Sequence, residues 1–244
     1  ITLDDTYAFG TLTFNSAGAV AITESDATAL SGTSTALSLD LDSGGAITDD
    51  GTADVTVTNN ADFADAGGAG ITLDDTYAFG SLTFNSTGAV AITEADATDL
   101  ANASTADSLD LNSGGAISNA GAASLAVTNN ADFADTGGAG ITLGDQALDA
   151  MNFGSLTFNS LGTVTVEEDS AMELAGTNTA ASLNLTSAGA MTDAGGSDTT
   201  VAGATVLTAG GANDITLDEA ANDFDSVQVV SGNNVTIRDP NALA

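Results

Sequence analysis

Residues 1–16 read ITLDDTYAFGTLTFNS, and residues 71–86 read ITLDDTYAFGSLTFNS. One change in sixteen positions, at an offset of seventy, marks an internal duplication. Across the whole of 1–70 and 71–140, 53 of 70 positions are identical. A third copy, 141–214, opens as ITLGDQALDAMNFGSLTFNS with four extra residues before Phe153, and a partial fourth occupies 215–244. One such unit is too small to bury its own apolar face. Repetition at fixed spacing therefore signals stacked units that share a continuous core.

Each copy divides further. A phrase of small residues, an apolar residue and usually Thr recurs as SAGAVAIT, SGGAIT and GGAGIT. Its apolar anchors are Ile22, Ile47, Ile71, Ile92, Ile117, Ile141, Val166, Met191, Ile215 and Ile237, spaced 21–25 residues apart. Between them lie short alternating runs such as LTF (Leu12, Phe14), LDL (Leu39, Leu41) and VTV (Val55, Val57), apolar on one face and polar on the other. Gly, Asn, Ser and Asp separate the runs, and the single Pro is Pro240, which leaves backbone ladders free of an interrupting residue. Helical spacing fits only brief stretches such as 24–30, read here as loop.

The expected fold is all-β: a parallel β-helix (β-solenoid) of about ten rungs of 21–25 residues, three rungs to each 70–74-residue copy. At roughly 4.8 Å per rung the rod is about 50 Å long. All nine Phe fall at positions that recur between copies, the pattern of a core rather than of a single pocket, and equivalent residues are expected along one side of the rod. The chain starts and stops in mid-pattern, so it reads as one continuous solenoid segment cut from a longer protein.

Charge narrows the function. The chain of 244 residues holds 34 Asp and Glu against one basic residue, Arg238, for a net charge of −33. A nucleic-acid partner needs a cationic surface and is excluded, and an anionic membrane would repel the chain. No apolar run approaches the roughly 20 residues of a membrane helix. At 43 % hydrophobic residues, the chain is too apolar for a disordered acidic tail. The absence of Cys and His removes thiol chemistry and most transition-metal sites. Lyase chemistry lacks its usual base, and although paired carboxylates suit glycoside hydrolysis, these pairs recur with the repeat instead of marking one cleft.

The acids follow the anchors. Asp4, Asp5, Glu24, Asp49, Asp50, Asp74, Asp75 and Glu94 are the candidate ligands, for Ca²⁺, which prefers carboxylate and carbonyl oxygens in loops. Stacked rungs should bring such acids into columns, where like charges need screening or a bridging cation. Two narrower motifs match incompletely. GGAGITLDD has Thr72 where the Ca²⁺-binding nonapeptide needs Asp, and the Thr-x-Thr array of ice-binding solenoids is broken at Ser81 and Ala126.

The phrases SLNLTSAGAMTDAG, GGANDITLDEAANDF and SGNNVTIRDPNAL, within 182–243, resemble the repeats of giant bacterial surface proteins of the filamentous-haemagglutinin type. The resemblance implies a right-handed parallel β-helix exported to the bacterial cell surface or matrix, acting as a long fibre, stalk or adhesin, and with its recurring acid pairs the chain reads as non-catalytic. Its partners would be neighbouring repeats, further copies placed end to end, or surface and matrix components. The alternatives are an adhesive ligand- or glycan-binding module, for which the irregular loop 144–152 is the candidate patch, and a β-helix glycoside hydrolase.

Overall fold

Leu39 and Leu41 are buried while Asp40 and Asp42 are exposed, and the same period-two alternation runs through strands Ala19–Glu24 and Ser182–Ser187. This computed structural model describes residues 1–240; residues 241–244, the end of the partial fourth copy, lie outside the described residues. Among the described residues there are 26 strands in one continuous sheet, a parallel β-solenoid of about 11 turns without helices. Strand residues pair in register with residues one turn further on: Leu3 with Ile22, Ile22 with Leu41, Leu41 with Phe63, Phe63 with Phe84. The step is as short as 17 residues, Tyr7 to Glu24, and as long as 26, Ser124 to Ala150.

Each turn consists of two passes, one on either side of the core. Short passes are single straight runs. Long passes are two runs joined by a kink, where left-handed residues such as Gly32 (φ 60°) and Asn102 (φ 55°) turn the chain. Short passes 19–24, 38–43, 61–65 and 82–86 stack on one side, while long passes 28–36, 47–57 and 71–79 stack on the other. Two short passes, 82–86 and 90–94, then follow each other directly, and the sides exchange. The next block has short passes 90–94, 109–113, 131–135 and 156–160 facing long passes 98–106, 117–127 and 141–153. A third block repeats the scheme from 163 to 231.

The first copy thus contains seven passes, at 1–9, 12–15, 19–24, 28–36, 38–43, 47–57 and 61–65. At two passes per turn a copy spans three and a half turns, where the phrase spacing suggested three. Equivalent residues of successive copies therefore lie on opposite sides of the rod, contrary to expectation. Leu3 heads the column Ile22–Leu41–Phe63–Phe84, whereas its equivalent Leu73 heads a separate column, Ile92–Leu111–Phe133–Phe158. The anchors do not form one column either: Ile22 stacks on Leu41, and Ile71 lies between Ile47 and Val90. The continuous strand Asp54–Asp65 runs through the corner from a long pass into the next short one, and Thr28–Leu30 is strand where loop was read.

The core matches the sequence reading. Phe63, Phe84, Phe133 and Phe158 are fully buried, and Phe63 lies 5.6 Å from Phe79 ring to ring. At the corners neighbouring turns come so close that only Gly fits. A Cβ on Gly44 would sit 2.3 Å from the Ser25 carbonyl oxygen, which demands a backbone shift, whereas one on Gly195 meets nothing within 4 Å.

Two outcomes follow. Ile92→Ala, at a position 1 % exposed, is expected to lower unfolding free energy by about 2–5 kcal/mol in denaturant titration. Gly44→Ala is expected to lower the melting midpoint markedly and Gly195→Ala to leave it nearly unchanged. Equal effects from the two glycine variants would contradict the close approach of turns.

Candidate functional site: an acidic corner and buried carboxylates

The expected acids separate into two groups because passes end differently. In a straight short pass, residues i and i+2 share a face, so Glu24 follows Ile22 inward and Glu94 follows Ile92. Both are buried, 2 % and 1 % exposed. In long passes the same phrase runs into the kink, and its acid stands at the corner, half-buried at Asp49 and Asp75 and exposed at Asp74. Asp49, Asp74 and Asp75 meet at such a kink, with carboxylate oxygens within 4.8 Å of one another.

At this corner Asp49 Oδ2 accepts from the backbone N–H of Asp74 (2.8 Å) and Asp75 (3.3 Å) and from the Tyr77 hydroxyl (2.8 Å). Asp75 accepts from the Ala53 N–H at 2.8 Å. The Asp49 carboxylate beside Asp74 raises the latter's pKa, and burial together with the bond to Asp49 raises that of the Tyr77 hydroxyl. This is the one group of the expected ligands that the fold assembles as a potential cation cradle. Asp50 is exposed and bonded to Thr52, whose hydroxyl holds its pKa low. Asp4 and Asp5 are exposed on the first pass. Glu24 and Glu94 are engaged elsewhere.

The corresponding corners differ between copies. In the second, Asn119 replaces Asp49, and the inserted loop supplies Asp149, which accepts from Asn119 Nδ2 at 2.7 Å and the Ala122 N–H at 2.8 Å. In the third, Asp193 accepts from the N–H groups of Asp218 and Glu219 and from Asn222 Nδ2. The acids here secure the turn that follows.

Inward carboxylates, buried at Glu24, Glu94 and Glu168 and half-buried at Asp239, fill gaps in the ladder. Where a long pass meets the shorter pass above it, one N–H loses its carbonyl partner, and a side chain takes the place. Phe9 N–H donates to Glu24 (2.6 Å), Phe79 to Glu94 (2.8 Å), Phe153 to Glu168 (3.0 Å) and Phe224 to Asp239 (2.7 Å). The separation is fifteen residues every time. At the opposite boundary the N–H groups of Phe14, Phe84 and Phe158 donate to Ser34, Ser104 and Asn178, all buried. Asp65 and Asp135 hold the glycine loops: Asp135 accepts from Gly137, Gly138, Gly140 and the Ser160 hydroxyl.

In register these groups form inward polar columns, Glu24–Ser43–Asp65–Ser86 and Glu94–Ser113–Asp135–Ser160. A Ser between each pair of acids keeps like charges two turns apart. On the surface Asp40 pairs directly with Asp62, and Asp110 with Asp132. Burial and then the neighbouring Asp raise the pKa of both Asp62 and Asp132. Shallow depressions recur as well. One of about 250 Å³ beside Asp65, Asn85 and Thr105 has its counterpart of about 200 Å³ beside Asp135, Asn159 and Thr179.

The sequence profile of a family described as repeats of unknown function (DUF5649) matches residues 17–83, 87–158 and 161–231. The chain belongs to this family. Each matched DUF5649 unit begins just before a short pass that follows another short pass, so the family's unit coincides with one block of the fold, bounded by the exchange of sides. No curated protein and no solved structure matches the chain.

Glu94 makes the site testable by pH. Burial, then the nearby Asp96, raises its pKa from 4.5 to about 7 against the lowering effects of Thr98 and the Phe79 N–H. An acid with a raised folded pKa takes up a proton on folding, so its cost is absent below pH 4.5, grows as pH rises and is complete above about 7. That cost amounts to roughly 3 kcal/mol for such a shift. The melting midpoint should fall between pH 5 and 8, and Glu94→Gln, which keeps an acceptor for Phe79, should flatten the fall and exceed the parent at pH 8. A parallel fall in the variant would contradict the assignment.

Proposed function

We propose that the chain is a structural segment of an extracellular bacterial fibre, stalk or surface adhesin of the filamentous-haemagglutinin kind, a spacer without catalysis. The observation that supports this reading is that the order of passes, the Phe N–H to carboxylate bond and the shallow depressions recur with the repeat, as a scaffold of interchangeable units requires. Its partners are neighbouring repeats and further copies joined end to end, since a parallel ladder templates additional turns, together with components of the surface or matrix. Immunogold labelling of intact, unpermeabilised producing cells should decorate thin surface filaments. Label confined to the cell interior would overturn the proposal.

An adhesive role has one observation in its favour. Leu148, at the tip of the inserted loop, is 78 % exposed. Leu148→Ser should weaken attachment of the parent protein if the loop binds a ligand and leave it unchanged if the segment only spaces.

Within the spacer reading Ca²⁺ is the cofactor, held at Asp49, Asp74 and Asp75, and salt is the general stabiliser of a rod with charge −33. NaCl should raise the melting midpoint. Ca²⁺ at matched ionic strength should raise it further, and Asp74→Asn should remove the excess. Equal rises in the parent chain would reduce the acids to a screened surface.

A further inference from the structure

From the odd number of passes per copy we infer that copy number acts as a rotary setting: each added copy turns everything beyond it by half a turn, and only pairs of copies restore the facing. The true surface period is then two copies, seven turns, or about 34 Å at the inter-strand spacing. A partner that recognises one copy meets that feature on alternate flanks of the rod. It finds it again on the same flank only after skipping a copy.

Three equivalent exposed positions show the scheme. Asp40 belongs to the column Ala21–Asp40–Asp62 of the first block of short passes, Asp110 to Ala91–Asp110–Asp132 of the second, and Asn184 to Thr165–Asn184–Val206 of the third. The first and third blocks share a side, and the second faces away. The two junctions are alike, which suits a change of copy number. Gly70–Ile71 and Gly140–Ile141 sit in the same phrase, GGAGITL, with Gly70 at φ 106° and Gly140 at φ 112°. Each junction is closed by the same bonds: Ile47 N–H to the Gly70 carbonyl at 3.1 Å and Ile117 N–H to that of Gly140 at 3.0 Å. A second 71–140 inserted after Gly140 places its first kink on Asn119, whose Oδ1 already accepts the N–H of Gly144. That acceptor serves the incoming Asp74 N–H.

The chain has no Cys, so single cysteines introduced at Asp40 and Asn184 take maleimide-linked gold clusters without background. Electron microscopy should show the two clusters on one flank in the chain as it stands, on opposite flanks after insertion of one copy, and on one flank again after insertion of two. Clusters on one flank in all three would overturn the inference. Should the insertions fail to fold by circular dichroism, the uninserted chain labelled at Asp40 and Asp110 decides: opposite flanks sustain the inference, and a common flank refutes it.

Discussion

The structure depends on the parallel backbone ladder between successive turns. Every inward side chain is placed by it, because in-register pairing sets Ile22 on Leu41 and Leu41 on Phe63. The ladder demands that each N–H find a carbonyl one turn away, and where passes differ in length it cannot. At those boundaries the chain installs Glu, Asp, Ser or Asn inside an otherwise apolar interior. A side-chain acceptor spares the buried N–H the cost of having no partner. The buried polar groups are thus consequences of alternating long and short passes.

That alternation also gives the rod its two flanks. Three long passes face four short ones, then the sides exchange, and the family's own repeat unit ends at the same boundary. The exchange keeps corners from bulging continuously along one side. It also distributes the exposed acids, so that the directly paired Asp40–Asp62 and Asp110–Asp132 lie on opposite faces. A chain with 34 acids and one Arg gains from any geometry that keeps its surface columns short.

Fold class was legible in the sequence because alternation in LDL and VTV and a seventy-residue duplication both point to stacked strands. The number of turns was not. The phrase ending in Ile-Thr marks the start of a strand on either side, and it misses passes that begin without it, such as 38–43 and 109–113. Counting phrases therefore undercounts turns. The corner Asp49–Asp74–Asp75 was legible as paired acids after the anchors. Glu24 and Glu94 were grouped with it since they follow the same phrase, yet strict alternation from Ile22 and Ile92 already turns them inward. The constant fifteen-residue step from Phe to acid, in all four copies, was the overlooked signal. Asp65 and Asp135 follow from the same alternation, two residues after Phe63 and Phe133.

The central claim is that seventy residues make three and a half turns. Nitroxide labels on cysteines replacing Asp40 and Asp110 test it in the unmodified length of chain, by the dipolar coupling between them. Half a turn puts the labels on opposite sides of two sheets about 10 Å apart and about 17 Å along the axis, a separation near 25 Å once label reach is added. Three whole turns would leave them on one face about 14 Å apart, with strongly broadened spectra. The longer distance is the predicted result, and the shorter one would contradict the account.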